Sequence, residues 1–320
     1  MVLAMLVAAY WLWTPGRVYT DGRRDRRCNG IWLQHGWLGD DAWFIRNRRQ
    51  ARLASFRHPD EIRRLAALLR RHGITDVFPH LCPAARDGSL PGVNAPQTRR
   101  FLSEFQDFRV MPWVGGVSGV HVFLDDDHWR RKFAQAIRKL LDTYPPLAGI
   151  QVNIEPCPAG NQGFLRLLEE IRRVLPPGKI LSVAAYPPPT RLHPFKQIHW
   201  DRNYYREVAQ RVDHLAVMMY DTSLPLSKAY IWLMAAWTRD VLAWCPDRQV
   251  LLGLPAYDDP DVGYHDPRVE NLRQALQGIH DGLTHLGRVP ENYRGVALYC
   301  EWEMDEGEWQ TMAKYFEKPR

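Results

Sequence analysis

From Gly30 onward the chain repeats one pattern, a short run of β-branched or aromatic residues followed by a longer stretch of helical period. Consecutive parallel strands cannot be joined by a tight turn, so helical crossovers between them produce this alternation. Eight strand-like runs are found, at 30–35, 74–80, 109–113, 148–155, 180–186, 214–220, 250–257 and 295–302. Eight such units close a parallel sheet on itself, and the expected fold is an α/β (β/α)8 TIM barrel.

The segments between the runs carry helix signals of their own. Pro59, Asp60 and Glu61 form an acidic first turn, Ile62, Leu65, Ala66 and Leu69 follow at helical spacing, and Gly73 stops the helix before the next run. Asp125 to Asp127 precede an apolar stripe of Trp129, Phe133, Ala136, Ile137, Leu140 and Leu141 in the same way. No longer repeat and no low-complexity stretch divides the 320 residues. The expected organisation is an apolar segment and basic arm over 1–29, then one barrel over 30–320.

Hydrophobic residues at 46% and charged residues at 24% are ordinary for a chain with a packed core. The net charge of +6 is carried partly by Arg23, Arg24, Arg26 and Arg27 and by the helix-like Arg63, Arg64, Arg70 and Arg71. Solvated faces and a basic arm account for it, and no motif points to nucleic acid. Cys28, Cys82, Cys157, Cys245 and Cys300 show no CxxC and no zinc spacing, so neither a metal nor another cofactor is expected and the thiols read as small buried side chains. Residues 2–13 are apolar but too few to span a bilayer comfortably. They read as a signal core, a segment for membrane association or a stretch packed on the barrel. In a signal-anchor, the basic residues 17–27 would hold the following domain inside.

In such a barrel the C-terminal strand ends meet at one mouth. That brings together His35, His80, Trp113, Asn153, Glu155, Tyr186, Tyr220, Asp221, Tyr257, Glu301 and Trp302. Aromatic rings with a few carboxylates and amides suit a sugar, whose C–H faces stack and whose hydroxyls need several partners. His35 and His80 have no ligand spacing between them and read as rim or substrate contacts rather than metal ligands. Cys157, two residues after Glu155, reads as a buried loop thiol.

Several of these runs resemble glycoside hydrolase family 18, the chitinase-type barrels. The segment Ala148-Gly149-Ile150-Gln151-Val152-Asn153-Ile154-Glu155 is similar to the family's fourth strand, where spaced aspartates end in a catalytic glutamate. Arg109 to Gly116 resembles the third strand with its glycine pair, and Val212 to Asp221 the sixth, ending Met-x-Tyr-Asp. Leu251 to Tyr257 looks like the seventh strand, and Gly295 to Tyr299 with Trp302 and Asp305 like the eighth. The family's three aspartates are replaced here by Ala148, Gln151 and Asn153, so the glutamate stands alone. Asn-x-Glu is also the pair of the related family 85 endo-N-acetylglucosaminidases.

The resemblance implies a hydrolase of an oligosaccharide or polysaccharide containing N-acetylhexosamine. Glu155 would serve as general acid/base and Asn153 would orient the substrate's own acetamide as nucleophile. It further implies that Tyr220 and Asp221 hold the acetamide and the catalytic carboxyl, with Gln151 beside them and Tyr299 or Trp302 as the floor. Two other readings stand beside it: a lectin-like barrel that binds sugar without turnover, and a glycosidase using a second protein carboxylate. For the last, Asp258 and Asp259 follow the seventh run but read as loop residues. The chain is expected to act as a monomer, exported or in the cell envelope, the cytoplasm being the alternative.

Overall fold

The computed structural model describes residues 2–258 and 264–319, so Asp259 lies outside the described residues. All strand pairings between the named strands are parallel, and they give β1 (Asn29–Leu33), β2 (Ile74–Pro79), β3 in two pieces (Arg109–Val110 and Trp113–Val117), β4 (Gly149–Glu155), β5 (Ile180–Ala185), β6 (His214–Val217), β7 (Gln249–Pro255) and β8 (Tyr293–Tyr299). The first piece of β3 pairs with β2, the second with β4, and β8 returns to β1, which closes the barrel.

Pro112 divides β3 because it has no N–H to give to the ladder. Its carbonyl still accepts from Gln151 N at 2.9 Å, and Val110 O accepts from Ala148 N at 2.8 Å, so the seam holds across the break. Beyond it β3 runs on to Val117, further than its sequence run indicates. Two strands stop three residues earlier than expected. β6 ends at Val217 because the chain turns through left-handed backbone at Asp221 and Ser223, and β8 ends at Tyr299, where the chain folds back so that Glu301 N reaches Trp32 O at 3.0 Å.

Alternation along the strands sorts side chains into two cores. Ile150, Val152 and Ile154 of β4 face outward into the large core between sheet and helices. Inside the barrel Trp32, Phe78, Met111, Trp113, Ala216, Leu251 and Ala297 pack together. The interior also holds a polar chain: Trp32 Nε1 donates to Gln151 Oε1 at 2.7 Å, Gln151 Nε2 to Ser182 Oγ at 3.3 Å, and Ser182 meets His214 Nδ1 at 2.7 Å. Below it, fully buried Asp76 accepts from Arg109 Nη2 at 2.6 Å and Arg294 Nε at 2.7 Å, since a buried charge must be paired.

The helix Pro59–Arg71 begins and ends as its sequence signals indicate, and Asp126 caps Asp127–Thr143 by accepting from His128 N and Trp129 N. The basic arm clasps the closed end of the barrel. Arg26 donates to the carbonyls of Val289, Pro290 and Glu291, and Arg27 to those of Arg70 and Arg71 at a helix C-terminus. Val2–Leu12 is helical, and Lys228 Nζ donates to the carbonyls of Tyr10 at 2.8 Å and Trp11 at 3.0 Å. Among the described residues no helix is long and apolar enough to cross a membrane.

Candidate active site

Asn153 and Glu155 are two apart on β4 and therefore face the same way, inward at the open end of the barrel. Asn153 Nδ2 donates to Glu155 Oε1 at 2.7 Å, and the Tyr186 hydroxyl reaches Oε2 at 3.5 Å. Glu155 stays in contact with solvent while protein crowds it on most other sides, as at the bottom of a cleft. That crowding raises its pKa above the ordinary 4.5, against the two hydrogen bonds. Asn153 is buried, and its Oδ1 has no hydrogen-bond partner among the described residues.

The approach of β3 to this pair depends on Gly115. Its φ of +135° is closed to most side chains, and a Cβ there would stand 1.8 Å from Asn153 O. Gly115 thus lets the backbone of β3 press against the residue that holds Glu155.

Tyr299 sits among the aromatic residues of the mouth. Its ring stacks on Tyr220 at 5.1 Å and meets Trp302, Tyr257, Trp32 and Trp113 edge-on at 5.5 to 6.2 Å. Trp302 lies further out, parallel to His80 at 6.4 Å. His80 is stacked between Trp113 at 4.1 Å and His35 at 3.7 Å, and His35 rests in turn on Trp43 at 4.2 Å. Burial, and for His80 also the neighbouring His35, lowers the imidazole pKa, so these rings act as neutral flat surfaces. His35 Nδ1 donates to Asp40 Oδ2 at 3.1 Å.

Glu155 lies between two hollows. One, of about 440 Å³, is lined by Glu155, Tyr186, Tyr220 and Asp221 together with His193 and Trp237. The other, of about 250 Å³, is lined by Glu155, Asn153, Trp113, His35, His80 and His121. Asp221 accepts from the Tyr257 hydroxyl. Burial pushes Asp221 up to about 6, with Glu270 and Glu155 adding to it against the Tyr257 hydrogen bond and His265.

Two expected site residues stand apart. Gln151 is fully buried one inward step below Asn153, and both ends of its amide are used by Trp32 and Ser182. Glu301 is turned to the β1 loop, where it accepts from Trp37 Nε1 at 3.1 Å and Gln34 N at 3.3 Å. Asp258 is exposed and has Glu308 as a charged neighbour. The sequence reading missed Trp43, His121, His193, His199, Trp237 and Tyr264, all of which line the two hollows. The stretch from Tyr186 to Trp200, long for a strand-to-helix loop, was the available signal for His193 and His199.

The family model "Glycosyl hydrolases family 18" matches residues 88–275. No curated protein sequence matches the chain. Among solved structures the fold is similar to the spore cortex-lytic enzyme SleL of Bacillus cereus, at 14% identity and TM-score 0.58, over 95% of this chain and 75% of that one. It is also similar to a chitinase from Chromobacterium violaceum, at 15% identity and TM-score 0.57, over 91% and 99%. A fungal endo-beta-N-acetylglucosaminidase of family 18 matches at 15% identity and TM-score 0.58, over 92% and 99%. With more than half of its length matched by the family model, the chain belongs to family 18 of the glycosyl hydrolases.

Proposed function

We propose that this glycoside hydrolase cleaves a glycan containing N-acetylhexosamine by substrate-assisted, retaining hydrolysis. Glu155 protonates the departing glycosidic oxygen while the carbonyl oxygen of the sugar's 2-acetamido group attacks the anomeric carbon. The C–O bond to the leaving group breaks as the bond to the acetamide oxygen forms, giving a cyclic oxazolinium ion. Glu155, now a carboxylate, takes a proton from the water that opens this ring and restores the configuration.

The observation that carries the reading is the state of Asn153. One end of its amide holds Glu155, and the other is a buried acceptor without a partner. An acetamide N–H supplies the missing donor, and forming that bond points the acetamide oxygen at the anomeric carbon. Crowding by the surrounding protein raises the pKa of Glu155 in the direction a general acid requires, without the family's aspartate series. Tyr299 serves as floor for the sugar ring, with Trp302, His80 and Trp113 beside it. Tyr220, Asp221 and Tyr186 line the adjoining hollow on the other side of Glu155.

The test compares aryl glycosides with and without a 2-acetamido group, with Glu155→Gln as control. The expected result is turnover of the acetamido substrate alone, lowered about 10²–10⁴-fold by the substitution. Turnover unaffected by Glu155→Gln overturns the assignment. Binding without turnover by the unaltered protein favours the lectin-like reading. Equal turnover of both substrates points to a protein nucleophile.

A further inference from the structure

Three side chains outside the Asn153–Glu155 pair converge where the turn after β6 meets the segment after β7. Single ligand atoms of Asp221, His265 and Glu270 all lie within 4.8 Å of one another. His265 and Glu270 have fully buried side chains, whereas that of Asp221 is 31% exposed and lines the larger hollow.

The imidazole is set up as a ligand. His265 Nε2 lies 3.1 Å from the carbonyl oxygen of Tyr257, which can only accept, so Nε2 carries a ring proton and Nδ1 is the nitrogen whose lone pair a metal ion can take, displacing any proton there. Nδ1 is buried without a hydrogen-bond partner among the described residues, 3.7 Å from Asp221 Oδ1 and 3.7 Å from Glu270 Oε2. That distance is too long for a direct hydrogen bond. Two ligand atoms each about 2.1 Å from one zinc ion, at angles of about 110–125°, are about 3.4–3.7 Å apart.

The carboxylates are held in place as well. Glu270 accepts from Thr222 N at 2.9 Å and Thr222 Oγ1 at 2.6 Å, and Asp221 accepts from the Tyr257 hydroxyl. Two fixed carboxylates outnumber the single imidazole even when the ring is protonated, so the centre keeps a negative charge in need of a cation. We propose that Asp221, His265 and Glu270 bind one divalent metal ion, zinc in preference to calcium, which fastens the segment after β7 to the turn after β6. The imidazole nitrogen sets the preference, since calcium takes oxygen ligands. Three protein ligands leave a position for water, and the exposed side of Asp221 provides the way in.

The experiment uses the full chain and does not depend on activity. Protein stripped with a chelator is loaded with zinc sulfate, desalted and assayed for metal by mass spectrometry, beside His265→Gln and Glu270→Gln. The His265→Gln side chain can still donate to Tyr257 O but offers zinc only a weak amide oxygen in place of the imidazole nitrogen. The expected result is about one zinc per chain, lost in His265→Gln with an unchanged circular dichroism spectrum, and a rise in Tm on the order of 5 °C for the unaltered protein alone. Cobalt in place of zinc should give visible absorption bands that are absent from His265→Gln. Fewer than about 0.1 zinc per chain, retention at an unaltered level in His265→Gln, or calcium binding equal to zinc overturns the proposal. Glu270→Gln keeps the proposal falsifiable if His265→Gln fails to fold.

Discussion

Asn153 holds Glu155 through a 2.7 Å hydrogen bond between neighbours on one inward face of β4, and this bond runs from the amide nitrogen to the carboxylate. An aspartate at that position would present oxygen to oxygen. The asparagine therefore changes how the glutamate is tuned: crowding by the surrounding protein is the main force raising its pKa, and the neighbouring side chain works in the opposite direction.

Asn153→Asp should reverse that contribution. A second carboxylate at hydrogen-bond distance raises the pKa of Glu155 further. A general acid works only while protonated, so the alkaline limb of the kcat/KM profile should move to higher pH. Asn153→Ala, which removes both the grip on Glu155 and the acceptor for the acetamide, should lower kcat/KM about 100-fold. An alkaline limb that stays in place in Asn153→Asp would separate Glu155 from the rate.

Stability should respond to Glu155 in the opposite sense to activity. With its folded-state pKa raised, the unfolded chain gives up this proton first as pH rises, so the glutamate costs stability above about 4.5 and nothing well below it. Glu155→Gln, always neutral, should melt at a higher temperature than the parent at pH 8, and the difference should vanish toward pH 4. A gain of equal size at both pH values would contradict the linkage.

Tyr299 and Trp302 should be separable by one pair of measurements. Tyr299 is surrounded by five aromatic rings, so Tyr299→Ala leaves a cavity and should cost about 3–5 kcal/mol of stability together with activity. Trp302 stands at the outer edge, and Trp302→Ala should raise KM about 10-fold with kcat and Tm nearly unchanged. A fall in kcat without a change in KM for Trp302→Ala would move it from the rim into the reacting centre.

The architecture was legible because alternation with period two sorts side chains by strand phase, and phase is local. Ile150, Val152 and Ile154 against Asn153 and Glu155 could be read without any neighbour. Depth within the barrel was less legible: Gln151 shares the phase of Asn153 but lies about 7 Å lower, inside the packed layer. Glu301 was misplaced because the chain folds back after Tyr299, a turn that depends on Trp32 of β1. The walls of the hollows were illegible for the same reason. Trp43 matters because it stacks on His35, and His193 because its Nε2 meets Thr222 O at 3.0 Å, relations made by loops from different strands.

The closed end of the barrel offers a test of the fold independent of any sugar chemistry. Asp76 is fully buried between Arg109 and Arg294. Burial alone would raise its pKa, but Arg109, His214 and Arg294 outweigh it and lower the carboxyl below 3.8. A depressed pKa stabilises the fold above the unfolded value, and that stabilisation is lost as pH falls through the folded one. Asp76→Asn keeps the shape but leaves two guanidinium groups facing a neutral amide, which should cost about 3–5 kcal/mol at pH 7 in urea unfolding. The penalty should shrink steadily below pH 4, as the parent loses the same charge. If parent and variant unfold at the same urea concentration at pH 7, the ion cluster contributes packing alone and β2 is held to β1 and β3 by its backbone ladder and apolar contacts.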